Sequence, residues 1–116
     1  MSLTIYHNPR CSKSRQTLAL LQENDHEPVI VEYLKNPPDA ATIGQLVNAL
    51  NISPADIMRK NEIEFKEAPV DVAALDAAAQ IQWLADNPRV LQRPIVVNGD
   101  RARIGRPPES VLEILS

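Results

Sequence analysis

The chain has 116 residues, 44% apolar and 23% charged, which suits one globular domain over 1–116 and argues against disorder. One cysteine, two histidines and three glycines exclude an intrachain disulfide, a Cys- or His-rich metal cluster, a P-loop and a GxGxxG nucleotide loop. The net charge of −3 argues against nucleic acid as a partner, and neither a membrane span nor a signal-peptide pattern is present, so a cytoplasmic monomer is expected.

Leu3–Tyr6 reads as a short strand ended by His7-Asn8-Pro9, and a helix follows over 12–24 with Leu18, Leu20 and Leu21 facing inward. Val29–Tyr33 is β-branched and strand-like. Pro37 and Pro38 stop the chain before Asp39, a helix N-cap, and Ile43, Leu46, Val47 and Leu50 mark an amphipathic helix. Ser53-Pro54-Ala55-Asp56 opens a short helix reaching about Arg59. Residues 60–71 carry no clear period. A helix over 76–86 turns Ile81, Leu84 and Ala85 inward. Pro94–Val97 is a strand, Asn98-Gly99 a hairpin signal, and Arg101–Ile104 the partner strand. Pro107 and Pro108 begin a last helix that buries Val111, Leu112 and Leu115. The order βαβ, a helical insertion at about 39–88, then ββα predicts an α/β, thioredoxin-like fold.

Cys11 falls in the turn between the first strand and the first helix, where unpaired N–H groups and the helix dipole favour a thiolate. A cysteine serving as a small core residue would have apolar neighbours, but its flanks are Asn8-Pro9-Arg10 and Ser12-Lys13-Ser14-Arg15. Arg15 is one helical turn above the sulfur, Ser14 offers a hydroxyl on the same loop, and His7 enters it from the strand. The charge is polarised along the chain: residues 1–15 carry +3, 16–88 carry −8 and 89–106 carry +4. The second basic stretch holds Arg89, Arg93, Arg101, Arg103 and Arg106. Arg93 and Arg106 each stand beside a proline at a strand end, and in a hairpin both reach the sheet edge occupied by the cysteine loop. Arg89, Arg101 and Arg103 are expected to form solvent-exposed pairs. The position that would complete a Cys-x-x-Cys motif is Ser14, so any disulfide of Cys11 is with another molecule.

Tyr6-His7-Asn8-Pro9-Arg10-Cys11-Ser12-Lys13-Ser14-Arg15 resembles the signature of the ArsC family, the glutathione/glutaredoxin-coupled arsenate reductases. The similarity continues in Tyr33–Pro38, Met58–Asn61, Arg93–Val97 and Ile104–Glu109. The resemblance implies a thioredoxin fold with a helical insertion, Cys11 as the nucleophile, and His7 helping to depress its pKa. It implies that Arg59, Arg93 and Arg106 hold the oxyanion, with Ser14 and Arg15 as further substrate contacts. Asn8 and Pro94 stand near the site as structural residues, and folds of this kind place a cis-proline, here Pro94, opposite the cysteine. Arsenate is the implied substrate, glutathione the co-substrate and glutaredoxin the protein partner, with no bound cofactor and no metal.

Two other functions share the architecture. Spx-like regulators bind RNA polymerase, and many use a Cys-x-x-Cys switch that Ser14 removes here. A glutathione-dependent thiol-disulfide oxidoreductase needs only one cysteine, so Cys11 alone does not exclude it; the arginines discriminate, since an Arg93→Ala change that abolishes activity on arsenate but spares disulfide exchange favours the oxyanion.

Overall fold

Leu3, Ile5 and His7 are buried while Thr4 and Tyr6 between them are half-buried, the period-two pattern of a strand with one face on a core. The computed structural model describes residues 3–115. Strand β1 is Leu3–His7, one residue longer than the sequence suggests, because His7 continues the inward face set by Leu3 and Ile5. Helix α1 (Ser12–Glu23) follows, then β2 (Val29–Glu32), β3 (Ile95–Asn98) and β4 (Arg101–Ile104). The sheet order is β2-β1-β3-β4. β1 runs parallel to β2 and antiparallel to β3, and β3 is antiparallel to β4. This is the thioredoxin-like α/β arrangement expected from the order of elements.

The chain folds as two compact units, one formed by its two ends up to Asn36 and from Arg93 onward, the other by Pro37–Gln92. In the first, Leu3, Ile5, Leu21, Val96, Val111 and Ile114 form the core, with Leu18, Leu20 and Leu115 partly buried against it. The buried face of α1 also contains Ser14 and Thr17, so its N-terminal half turns polar groups inward. The hairpin turns at Gly99-Asp100 rather than Asn98-Gly99. Asn98 pairs with Arg101 and belongs to β3, and Gly99 takes φ 65° at the first loop position, where a II′ turn requires glycine.

The last element differs from expectation. Pro108–Ile114 is a 3₁₀ helix, whose three residues per turn place Pro108, Val111 and Ile114 on one buried line. Leu112, expected inside from a 3.6-residue period, is therefore exposed, and Ile114 takes its place.

In the second unit, α2 (Ala40–Leu50) starts at Asp39, whose side chain accepts the Thr42 N–H at 2.8 Å. It buries Ile43, Leu46 and Val47. A 3₁₀ turn at Pro54–Ile57 begins where the Asp56 carboxylate takes the Ser53 N–H and hydroxyl. The stretch without a sequence period contains one short helix, α3 (Ile63–Lys66). Helix α4 (Ala77–Asp86) is capped by Asp76 and buries Leu84. It also buries Gln80 instead of Ile81 and Ala85, because the Gln80 amide donates to Val72 O at 3.1 Å and is thereby satisfied. Phe65 and Trp83 pack edge to face with centroids 6.1 Å apart.

Candidate active site

Cys11 is the N-cap residue of α1, with extended φ −92° and ψ 123°, and it is partly exposed. The loop that presents it is tied to itself. The Cys11 N–H donates to Asn8 O at 3.0 Å, and the Arg10 N–H to Asn8 Oδ1 at 3.0 Å. Arg15 Nη1 donates to Pro9 O at 2.9 Å. Since β1 alternates, His7 points to the same side as Ile5, and the first turn of α1 brings Ser14 over it: Ser14 Oγ lies 2.7 Å from His7 Nδ1. The same oxygen accepts the Asn8 N–H at 3.0 Å.

A serine hydroxyl has one donor and two acceptor sites, so Oγ takes the Asn8 N–H and still has both a proton and a lone pair with which to meet His7 Nδ1. Burial lowers the His7 pKa below its ordinary value, the Glu32 carboxylate opposes that, and the Arg15 charge adds to it. Glu32 acts from the strand position paired with His7. His7 is thus uncharged near neutrality and adds no cation to the thiol. It was expected to help depress the thiol pKa. Its contact with the cysteine loop runs through Ser14.

The thiol is nevertheless shifted down. Burial pushes its pKa up, but the backbone N–H groups of Ser14 and Lys13, a hydrogen bond from the Arg93 side chain and the Arg106 charge together bring it below the ordinary thiol value. The sulfur makes no full capping hydrogen bond, so the helix end acts on it as an electrostatic field rather than as a closed bond.

The two arginines arrive from the hairpin. Ile95 pairs with Ile104, so the entry of β3 lies beside the exit of β4. Arg93, two residues before, and Arg106, two residues after, are therefore neighbours: Arg106 Nε donates to Arg93 O at 2.8 Å. Arg106 Nη2 lies 3.6 Å from Cys11 Sγ. The Arg93-Pro94 and Arg106-Pro107 peptides are both cis. Arg89 and Arg103 make surface ion pairs, with Glu64 and Glu113 respectively.

Other expected contacts are arranged differently. The Ser14 side chain is wholly buried and bonded within the loop, so what it offers the sulfur is its backbone N–H. Arg15 folds back onto Pro9 rather than rising over the sulfur. Arg59 belongs to the Pro37–Gln92 unit, where its Nε is 3.4 Å from Glu62 Oε1 and its backbone N–H donates to Val90 O. Glu32 was not singled out from the sequence. Its relation to His7 comes from parallel pairing of β1 and β2, which local spacing does not encode. A groove of about 180 Å³ opens beside the loop, lined by His7, Asn8, Pro9, Arg10, Glu32 and Leu34 with Lys35. Among the described residues no group of three or more His, Cys, Asp or Glu side chains could hold a metal ion. No described helix is long and apolar enough to cross a membrane.

A partly exposed thiol of lowered pKa flanked by guanidinium groups suits nucleophilic attack on an anion, because the cations offset the repulsion between a thiolate and the anion. Comparison with known proteins points the same way. An uncharacterised Escherichia coli K12 protein, YfgD, is 53% identical over 112 residues, covering 96% of this chain and 94% of that protein. A Haemophilus influenzae arsenate reductase is 41% identical over 116 residues, covering 99% of this chain and 100% of that protein. The solved structure of an arsenate reductase from Vibrio cholerae superposes with a TM-score of 0.94 at 42% identity, covering 99% and 98% of the two chains. The model of the ArsC family matches residues 6–114, from the last two residues of β1 through the cysteine loop and both arginines, and the chain belongs to that family.

Proposed function

We propose that the protein reduces arsenate to arsenite, with Cys11 as the nucleophile and with glutathione and glutaredoxin supplying the electrons. The Cys11 thiolate attacks As(V), and one arsenate oxygen leaves as water after protonation. The thiol of glutathione displaces a second oxygen in the same way, so that arsenic is bonded to both sulfurs. A glutaredoxin thiolate then takes the glutathionyl sulfur as a mixed disulfide. The electron pair of that S–As bond stays on arsenic, which becomes As(III). Water hydrolyses the remaining Cys11–As bond, releasing arsenite and restoring the thiol.

The observation that carries this reading is the placing of Arg106 Nη2 3.6 Å from Cys11 Sγ, with Arg93 bonded to Arg106 through its carbonyl. Plain disulfide exchange has no need of two guanidinium groups at the sulfur, whereas an attacked oxyanion does. The names of the Haemophilus influenzae and Vibrio cholerae relatives support the same substrate. By family resemblance Arg59 is assigned as a third arginine for the anion.

The test is a coupled assay with arsenate, glutathione, glutaredoxin, glutathione reductase and NADPH. The protein is expected to drive arsenate-dependent NADPH consumption, and Cys11→Ser to abolish it. Consumption no greater than that of the Cys11→Ser variant overturns the reading.

A further inference from the structure

Arg106 is exposed, so its guanidinium is held by the Nε bond to Arg93 O and by the position of its backbone rather than by packing around the side chain. That backbone is fixed one residue earlier. Gly105 is buried, and its N–H donates to Pro94 O at 2.9 Å. A β-carbon on Gly105 would sit 2.5 Å from Thr17 Oγ1, 2.7 Å from Pro94 Cγ and 3.1 Å from Thr17 Cγ2. Gly99 is the useful contrast: it has a positive φ of 65° and nothing within 4 Å of an added β-carbon. Gly99 is glycine for its dihedral, Gly105 for its space.

Thr17 is the other half of the contact. It is fully buried in α1, and its hydroxyl donates to Lys13 O at 2.8 Å, one turn back. Lys13 and Ser14 are the residues whose N–H groups act on the sulfur. The end of β4 is thus seated against the same two turns of helix that hold Cys11, and Pro94 closes the contact from the start of β3.

We propose that Gly105 and Thr17 are positioning residues for the reaction: their close approach seats the end of β4 on α1 and so sets the Arg106 guanidinium against Cys11 Sγ. Neither touches the substrate; both act through Arg106. A side chain at position 105 must push β4 off α1 or off Pro94, and opening the 2.5 Å approach to the 3.4 Å of ordinary contact takes about 0.9 Å, enough to carry Arg106 from the edge of contact with the sulfur. The inference rests on Cys11 being the nucleophile but not on arsenate being the substrate, and the test reads the thiol alone.

Iodoacetamide alkylation of Cys11 is followed from pH 5 to pH 10 in the full-length protein, with folding checked by urea denaturation. Gly105→Ala is expected to slow alkylation at pH 7 by roughly threefold and to move the midpoint upward, the size expected when one solvent-screened charge leaves a thiolate. Thr17→Ala, which opens a gap on the other side of the contact, is expected to shift the midpoint the same way by less, and it serves if Gly105→Ala does not fold. In an Arg106→Ala background neither substitution is expected to move the midpoint further. A packing role alone lowers the urea midpoint without touching the alkylation profile. An unmoved alkylation midpoint in the folded variants, or an equal shift with Arg106 already removed, overturns the proposal.

Discussion

Arg106 Nη2 and Cys11 Sγ are 3.6 Å apart in space and 95 residues apart in sequence. What joins them is the antiparallel pairing of Ile95 with Ile104, which returns the chain to the sheet edge where α1 begins.

Removing that guanidinium raises the thiol pKa. Arg106→Ala is expected to slow iodoacetamide alkylation at pH 7 by roughly three- to fivefold, from a loss of about 1 kcal/mol at most in a well-hydrated site. Arg106 is exposed, so the difference between the two proteins is expected to shrink in about 1 M salt, where the Debye length falls to about 3 Å. Alkylation rates at low and high salt check both statements.

Arg93 separates anion chemistry from thiol chemistry. Arg93→Ala is expected to lower arsenate turnover by about 10²-fold, the scale for loss of one preorganised donor. Measured at pH 10, above the ordinary thiol value, exchange with a glutathione mixed disulfide is expected to persist. Equal loss of both activities would mean that Arg93 does not hold the oxyanion.

Ser14 carries the loop. Ser14→Ala leaves the Asn8 N–H and His7 Nδ1 without their shared partner, both in buried surroundings. The expected loss is about 1–3 kcal/mol of stability, read from the urea midpoint at constant m-value.

The lowered His7 pKa has a defined consequence for acid stability. Its folded value lies below the unfolded value of about 6.5, so the unfolded chain binds the proton more readily in the window between the two. The fold carries no penalty from His7 above the unfolded pKa. It loses stability as pH falls below 6.5, reaching the full loss once pH is under the folded pKa. Urea denaturation from pH 7.5 to pH 5 is expected to show this slope, and His7→Asn is expected to flatten it. A slope that persists unchanged in His7→Asn assigns it to another group.

Gly99 tests the turn rather than the site. Gly99→Ala meets nothing within 4 Å yet must hold φ near 65°, so a cost of about 1 kcal/mol is expected, with alkylation of Cys11 unaffected. Thermal unfolding and the alkylation profile together check it.

Much of the fold was legible because its signals are local. Asp39 is a cap read from a few residues, and it accepts the N–H three positions on. The β-hairpin is announced by Asn98-Gly99, although the turn itself is shifted by one residue. The misreadings share a cause. Leu112 lies inside on a 3.6-residue period, but the segment forms a 3₁₀ helix, whose period of three turns Val111 and Ile114 inward instead. A helical period of apolar residues points to Ile81 and not to Gln80, because a polar residue is buried only where a partner, here the Val72 carbonyl, is in place.

The sequence by itself determined that the one thiol stands at the start of a helix, amid basic residues and without a second cysteine to pair with. Those are properties of composition and spacing, and they fix which chemistry the sulfur can enter. Tertiary structure decided which groups meet it. Parallel pairing set Glu32 against His7, the buried face of α1 turned Ser14 inward onto His7, and the fit of Gly105 on Thr17 delivered Arg106 to the sulfur. Side-chain charges act over a few ångströms, whereas the residues bearing them are up to 95 positions apart, so only the pairing of strands and the packing of the helix bring them within range.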